Sequence, residues 1–125
     1  MLRSLKFIPG IIWFFIVLFL ICLPGKDLPE VNWFDKIPLF DKWVHIGMFG
    51  MLTVLFCWPF KNSKYSSAKR SQYFIRIALA ACIWGITTEL IQKFYIPGRD
   101  FDLVDWAADS IGIACGWLYS KWRFI

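Results

Sequence analysis

Four apolar stretches divide the chain, at about residues 8–23, 43–58, 74–95 and 103–119. Each is close to or within the length of about 17–25 residues that a helix needs to cross a bilayer. Of the 125 residues, 58% are hydrophobic and only 18% are charged, which does not fit a soluble domain of this size. Open sheet edges cannot face lipid, and four segments cannot close a barrel. The sequence therefore predicts an all-α membrane protein in one domain, a bundle of four transmembrane helices.

The basic residues predict how this bundle is oriented. Of the 14 Lys and Arg residues, nine lie in the N-terminal segment, the connection between the second and third stretches, and the C-terminal segment. The positive-inside rule places such segments in the cytoplasm, so we expect both termini and the second connection there. Recruitment of anionic lipid by the basic connection is an alternative. Binding to nucleic acid does not fit, because the basic residues share no single soluble face.

Two features that could indicate a secreted or redox protein do not do so here. Arg3 and Lys6 precede the first stretch as in a signal peptide, but no small-residue cleavage site follows. We therefore expect a retained first span. The cysteines form no C-x-x-C pair and fall one in each stretch, at Cys22, Cys57, Cys82 and Cys115. We expect them to be packing residues.

Polar side chains gather at the predicted outer ends of the last three stretches. They are Asp41 and His45, Glu89 and Gln92, Arg99, and Asp102, Asp105 and Asp109. Helical spacing places the members of each group on one face. At 1.5 Å per residue, Glu89 and Asp109 lie roughly 10 Å below the outer boundary. On the same rise, His45 lies roughly 6 Å below Asp41. We therefore expect His45, Glu89 and Asp109 to meet at one level inside the bundle. Arg99 and the shallower acids would form a rim above them.

These side chains suit more than one chemistry. An imidazole with several carboxylates can bind a divalent cation or act as general acid and base. The catalytic candidates are therefore His45, Glu89, Asp105 and Asp109. Arg99 suits a phosphate or carboxylate, which a guanidinium grips with two hydrogen bonds. Alternatively, the polar groups only fix the register of the helices, and Asp102 and Asp105 stabilise a helix N-terminus.

Three motifs in this region resemble those of VanZ-like membrane proteins. The segment Asp41-Lys42-Trp43-Val44-His45 is similar to that family's D-K-x-x-H, and Glu89-Leu90-Ile91-Gln92 is similar to its E-x-x-Q. Its P-G-R…D-x-x-x-N-x-x-G block is matched by Pro97-Gly98-Arg99, Asp105 and Gly112. Order and spacing agree across more than half of the chain.

The resemblance adds one candidate residue, and the sequence departs from the family's motifs at one position. Lys42 joins the candidate ligand-binding residues through the first motif alone. Asp109 stands where the family usually has Asn, which adds a titratable group at a deep position. The other candidate ligand-binding residues coincide with those already selected: Asp41, His45, Glu89, Gln92, Arg99, Asp102, Asp105 and Asp109.

The resemblance implies a single VanZ-like domain over residues 1–125, in a multi-pass protein of the bacterial cytoplasmic membrane. The family's founding member is linked to low-level teicoplanin resistance. We therefore expect an outward-facing site that binds an envelope lipid headgroup, a lipid-linked envelope precursor or a glycopeptide. The alternatives are a hydrolase or transferase acting on a lipid-linked substrate, and a structural or assembly subunit. A bound divalent cation and a homo-oligomer are compatible with each of these.

Overall fold

The described part of the chain is almost entirely helical. The computed structural model describes residues 4–22, 40–96 and 103–125, with residues 40 and 41 described by their backbone alone. Within these ranges, 91% of the residues are helical and no strand is present. The elements are a 3-10 turn at Ser4–Phe7, α1 at Ile8–Ile21, α2 at Phe40–Cys57 with a 3-10 turn at Trp58–Phe60, α3 at Ser67–Tyr95 and α4 at Leu103–Phe124. The predicted all-α class is confirmed.

Three helical segments are long and apolar enough to cross a membrane: Ser4–Ile21, Lys42–Phe60 and Ser67–Tyr95. This finding indicates a membrane protein. Helix α4 has 22 residues, and a helix of that length extends about 33 Å. It is not among the three segments: Asp105 and Asp109 lie in its first two turns, and Lys121 and Arg123 in its last. A fourth span at α4 therefore stays a prediction.

Helix α3 begins well before the apolar stretch predicted at residue 74. Ser66 is its N-cap, and the Ser66 hydroxyl accepts a hydrogen bond from the backbone N–H of Lys69 at 3.2 Å. A capped start of this kind needs no apolar side chains, because it satisfies backbone donors of the first turn. The first turns of α3 thus carry basic residues of the second connection, which hydropathy alone assigned to a loop.

Consecutive helices run antiparallel, and α2 and α4 consequently run parallel. The indole Nε1–H of Trp13 in α1 donates to the carbonyl of Met48 in α2 at 2.9 Å. The Gln92 amide near the end of α3 donates to the carbonyl of Ile21 at the end of α1 at 3.2 Å. The ends of α1 and α3 therefore lie beside the starts of α2 and α4. We call this end of the bundle the polar end, and the opposite end the basic end.

Aromatic packing closes the basic end. Cys57, Phe60, Phe74 and Phe124 form a buried cluster, in which the rings of Phe60 and Tyr73 stack at 4.9 Å. The Arg70 guanidinium donates to the carbonyls of Ser63 at 2.6 Å and Phe124 at 3.4 Å. Phe7 packs against the same cluster. Both terminal helices of the chain and the second connection therefore share one end of the bundle.

Helices α2 and α4 approach each other through glycine. A Cβ atom on Gly112 would lie 2.2 Å from the carbonyl oxygen of Ile46, and one on Gly116 would lie 2.6 Å from that of Gly50. Both contacts are with backbone atoms, which cannot rotate away as a side chain can. Glycines four residues apart allow such close helix contact within membranes. The glycine contact therefore fixes how α2 lies against α4.

We predict that Gly112→Ala lowers the free energy of unfolding by about 1–3 kcal/mol, because the added methyl group forces the two backbones apart. Thermal unfolding of the purified protein in detergent measures the change. Gly47→Ala is the matched control, since a Cβ atom there meets nothing within 4 Å. It should leave stability unchanged or slightly raised, because alanine favours a helix over glycine. Equal melting temperatures for the two variants would contradict this packing.

Candidate functional site

Three buried polar side chains from three helices meet near the polar end. His45 of α2, Glu89 of α3 and Asp109 of α4 are 8%, 0% and 1% exposed. Each offers one nitrogen or oxygen atom, and these three atoms lie within 4.8 Å of one another. The prediction that the three side chains meet inside the bundle is thus confirmed. Their role as ligands or catalytic groups stays a prediction.

A short contact in this cluster joins α2 to α4. The Nδ1 atom of His45 lies 2.7 Å from Oδ1 of Asp109, and its Nε2 atom lies 3.7 Å from Oδ2 of Asp105. Both ring nitrogens of His45 therefore face carboxylates of α4. The sequence paired His45 with Asp41, one turn earlier, but the Asp41 side chain lies outside the described residues. The parallel arrangement of α2 and α4 makes the contact with Asp109, because residues near the two helix starts become neighbours.

An ion pair lies next to the cluster, toward the helix starts. The Lys42 ammonium group contacts Oδ1 of Asp105, and the side chains are 16% and 14% exposed. The sequence did not predict this pair, and Lys42 was a candidate only through the resemblance of its motif. A signal was present in the spacing: Lys42 and His45 are three apart on α2, and Asp105 and Asp109 are four apart on α4, so each pair shares a helix face.

One oxygen of Asp109 has no hydrogen-bond partner among the described residues. This atom, Oδ2, is fully buried, whereas Oδ1 is bonded to His45. A Cβ atom built on Gly85 would lie 3.5 Å from Oδ2, so the oxygen faces α3 near the turn that precedes Glu89. Buried carboxylate oxygens are almost always hydrogen-bonded or bound to a cation. The oxygen is therefore an acceptor that the described side chains leave open.

Other polar side chains of α3 donate hydrogen bonds to backbone carbonyls. Gln92 turns toward α1, where its hydrogen bond to the Ile21 carbonyl satisfies an acceptor that the helix end leaves open. Thr87 and Thr88 donate to the carbonyls of Ile83 and Gly85 in their own helix at 2.8 and 2.7 Å. For Gln92, the contact indicates a structural role.

Most of the predicted rim of Arg99 and the shallower acids lies outside the described residues. Arg99 and Asp102 lie outside the described residues, as does the side chain of Asp41. Of the shallower acids, Asp105 is described, and it pairs with Lys42. Asp105 of α4 therefore contributes to the site through its ion pair with Lys42 of α2.

An apolar cavity lies further from the polar end, between α1, α2 and α3. It has a volume of about 210 Å³ and is lined by Phe14, Leu52, Phe56, Ala81 and Trp84, among others. Leu52 follows His45 by seven residues, which is about 10 Å along the helix. The polar cluster thus lies above a hydrophobic space on the same side of α2.

Comparisons of the chain with protein-family models, with curated proteins and with solved structures found no match. The geometry of the site is therefore the main support for a function. One imidazole and two carboxylates, buried together beside a lysine ion pair, can bind a cation, hold a proton or contact a charged headgroup.

We predict that the His45–Asp109 contact stabilises the fold by roughly 1.5–3 kcal/mol, as expected for a buried hydrogen bond to a charged group. The measurement is a double-mutant cycle of His45→Ala and Asp109→Ala, read by unfolding in detergent. Asp109→Ala with Ser120→Ala is the control. Ser120 bonds to its own helix at the Gly116 carbonyl, so these two changes should be additive. A coupling energy for His45 and Asp109 as small as that of the control would contradict the contact.

Proposed function

We propose that the chain is a four-span protein of the bacterial cytoplasmic membrane whose polar end faces outward and binds the phosphate-bearing headgroup of an envelope lipid. The observation that carries this proposal is the buried cluster of His45, Glu89 and Asp109 at one end of a lipid-exposed bundle. Ionisable groups inside a membrane are expensive and usually mark a binding or transport site. Three of them converging from three helices exceed what helix packing requires.

The exposed surface of α4 supports its assignment as a fourth span. Val104, Ile111 and Leu118 are 57%, 55% and 58% exposed along its outer face. Asp109 points inward and is 1% exposed, so its carboxyl group avoids contact with lipid. A helix with this division of residues fits a membrane once α2 and α3 cover its polar face.

Contacts at the basic end support its assignment to the cytoplasm. Lys6 lies over the Trp58 ring at 6.0 Å, and Lys121 lies over Trp117 at 4.8 Å. Paired aromatic and basic side chains are typical of the membrane interface, and an excess of lysine and arginine is typical of the cytoplasmic face. The polar end then faces outward.

A lipid suits the polar end in two respects. Lys42 supplies a cationic group beside the cluster, and Arg99 follows in the sequence between α3 and α4. The apolar cavity of about 210 Å³ further along the bundle has room for part of a hydrocarbon chain. The resemblance to VanZ-like proteins supports the same proposal, and extends it to lipid-linked envelope precursors and to teicoplanin susceptibility.

The proposed orientation predicts which engineered cysteines can be labelled. In a Cys22→Ala background, Tyr95→Cys at the polar end should react with a membrane-impermeant maleimide in intact cells. Tyr95 is 79% exposed. Lys64→Cys should react only after permeabilisation, because the second connection is assigned to the cytoplasm. Labelling of Lys64→Cys in intact cells would overturn the outward orientation of the site.

The proposed ligand is tested with the purified protein in phosphatidylcholine nanodiscs containing a polyprenyl phosphate. We expect native mass spectrometry to detect the bound phosphate lipid. The double variant Lys42→Gln/Arg99→Gln should bind it at least tenfold more weakly, because about 1.4 kcal/mol of charge-assisted contact is lost. Lys93→Gln is the matched control, since Lys93 is exposed in the last turn of α3.

Two outcomes separate the alternatives. A bound lipid recovered without its headgroup would favour a hydrolase or transferase at the same site. Equal affinity of the wild type, the double variant and Lys93→Gln would contradict headgroup binding, and would favour a structural subunit whose polar groups only pack the helices.

A further inference from the structure

The buried cluster has the donor set of a metal centre. His45 supplies an imidazole nitrogen, and Glu89 and Asp109 supply carboxylate oxygens within 4.8 Å of one another. Imidazole with carboxylate is a usual ligand set for zinc and related transition metals. Calcium takes six to eight oxygen ligands and magnesium a near-octahedral oxygen shell, so the imidazole argues against both.

The distances suit a site whose side chains adjust slightly around an ion. Zinc binds imidazole nitrogen and carboxylate oxygen at about 2.0–2.2 Å, so tetrahedral ligands lie roughly 3.3 Å from one another. The Nδ1 atom of His45 and Oδ1 of Asp109 are 2.7 Å apart and would move apart to admit the ion. All three candidate ligand atoms lie within 4.8 Å of one another, which is close enough for one ion to contact them after small movements of the side chains.

A second, independent observation points to a missing ligand at this place. Asp109 is 1% exposed, and its Oδ2 atom is buried without a hydrogen-bond partner in the described part of the chain. That oxygen belongs to the side chain that already contacts His45. A bound cation would satisfy it, which no described neighbour does.

Asp105 is placed to orient the imidazole. Its Oδ2 atom lies 3.7 Å from Nε2 of His45, slightly beyond hydrogen-bond distance, whereas Asp109 contacts Nδ1. A histidine that binds a metal through one nitrogen usually donates its other N–H to a carboxylate, which fixes the tautomer and the ring. Asp105 would do this for His45 while Lys42 balances its charge.

We propose that His45 Nδ1, Glu89 and Asp109 bind one zinc ion, whose open coordination position accepts a phosphate oxygen of the lipid headgroup. The headgroup part of this inference rests on the proposed function. Three protein ligands with one open position are the usual arrangement where zinc also binds a ligand. The ion also explains how a site rich in carboxylates can bind an anion, because the cation lies between them.

The metal is tested first, without lipid. Purified protein is stripped with a chelator, titrated with zinc in competition with a chromophoric chelator, and assayed for bound metal. We expect one zinc ion per wild-type chain and a melting temperature that rises with zinc, because the ion binds the folded state. The double variant Glu89→Gln/Asp109→Asn should lose at least nine-tenths of the bound zinc.

Two further variants make the test specific. Asp105→Asn should retain one zinc ion with about 10–100-fold lower affinity, as expected for a residue that orients a ligand. Lys93→Gln should bind zinc like the wild type. Wild-type protein that binds no more zinc than Glu89→Gln/Asp109→Asn, and whose melting temperature does not respond to zinc, overturns the metal site. The thermal measurement on the wild type is unaffected if a variant fails to fold.

The headgroup is tested next, in the same nanodiscs with and without zinc. Binding of polyprenyl phosphate that requires zinc supports the full inference. Binding that persists after chelation overturns it, while the proposed function stands. Zinc binding without any lipid binding overturns the proposed function and the headgroup role, and supports the metal site alone.

Discussion

The close backbone contact between α2 and α4 determines the rest of this structure. Gly112 and Gly116 leave no room for a side chain against the carbonyls of Ile46 and Gly50, so this close approach of the two helices requires glycine at both positions. With the helices packed in this way, His45 faces Asp109 and Lys42 faces Asp105. A shift of one residue along either helix would rotate these partners apart by about 100°, since a helix turns once in 3.6 residues. The polar site therefore depends on glycines that contribute no functional group to it.

The surroundings of the cluster explain why its groups are held so closely. In lipid there is no water to satisfy a carboxylate or an imidazole, and each unsatisfied group is costly. The bundle places Glu89 and Asp109 in its interior, 0% and 1% exposed, while apolar side chains occupy the outer faces. Gln92 and the Thr87 and Thr88 hydroxyls bond to backbone carbonyls. The buried ionisable groups His45, Glu89 and Asp109 lie together at one place, which gives that place its chemical character.

Much of this arrangement follows from the sequence, because hydropathy and helical spacing are local properties. The four helices, the shared end of the polar residues, and the meeting of His45, Glu89 and Asp109 were all predictable on those grounds. The Lys42–Asp105 pair and the turn of Gln92 toward Ile21 were not, because they depend on which helices become neighbours. The start of α3 at Ser67 was missed for another reason: the Ser66 cap begins a helix in a polar segment, where hydropathy carries no signal. The structure therefore shows two features that hydropathy and helical spacing do not predict: which helices are neighbours, and where a capped helix begins.

The acidic face of α4 has a consequence for how the protein is made. Three segments are apolar enough to enter a membrane by themselves, whereas α4 is not among them. Its polar face is covered by α2, which runs parallel to it, and by α3, which precedes it in the chain. If α4 crosses the membrane as proposed, its acidic face would have to pack against α2 and α3 for the helix to stay in the bilayer. The proposed site and the proposed fourth span would then be completed together when the protein is made.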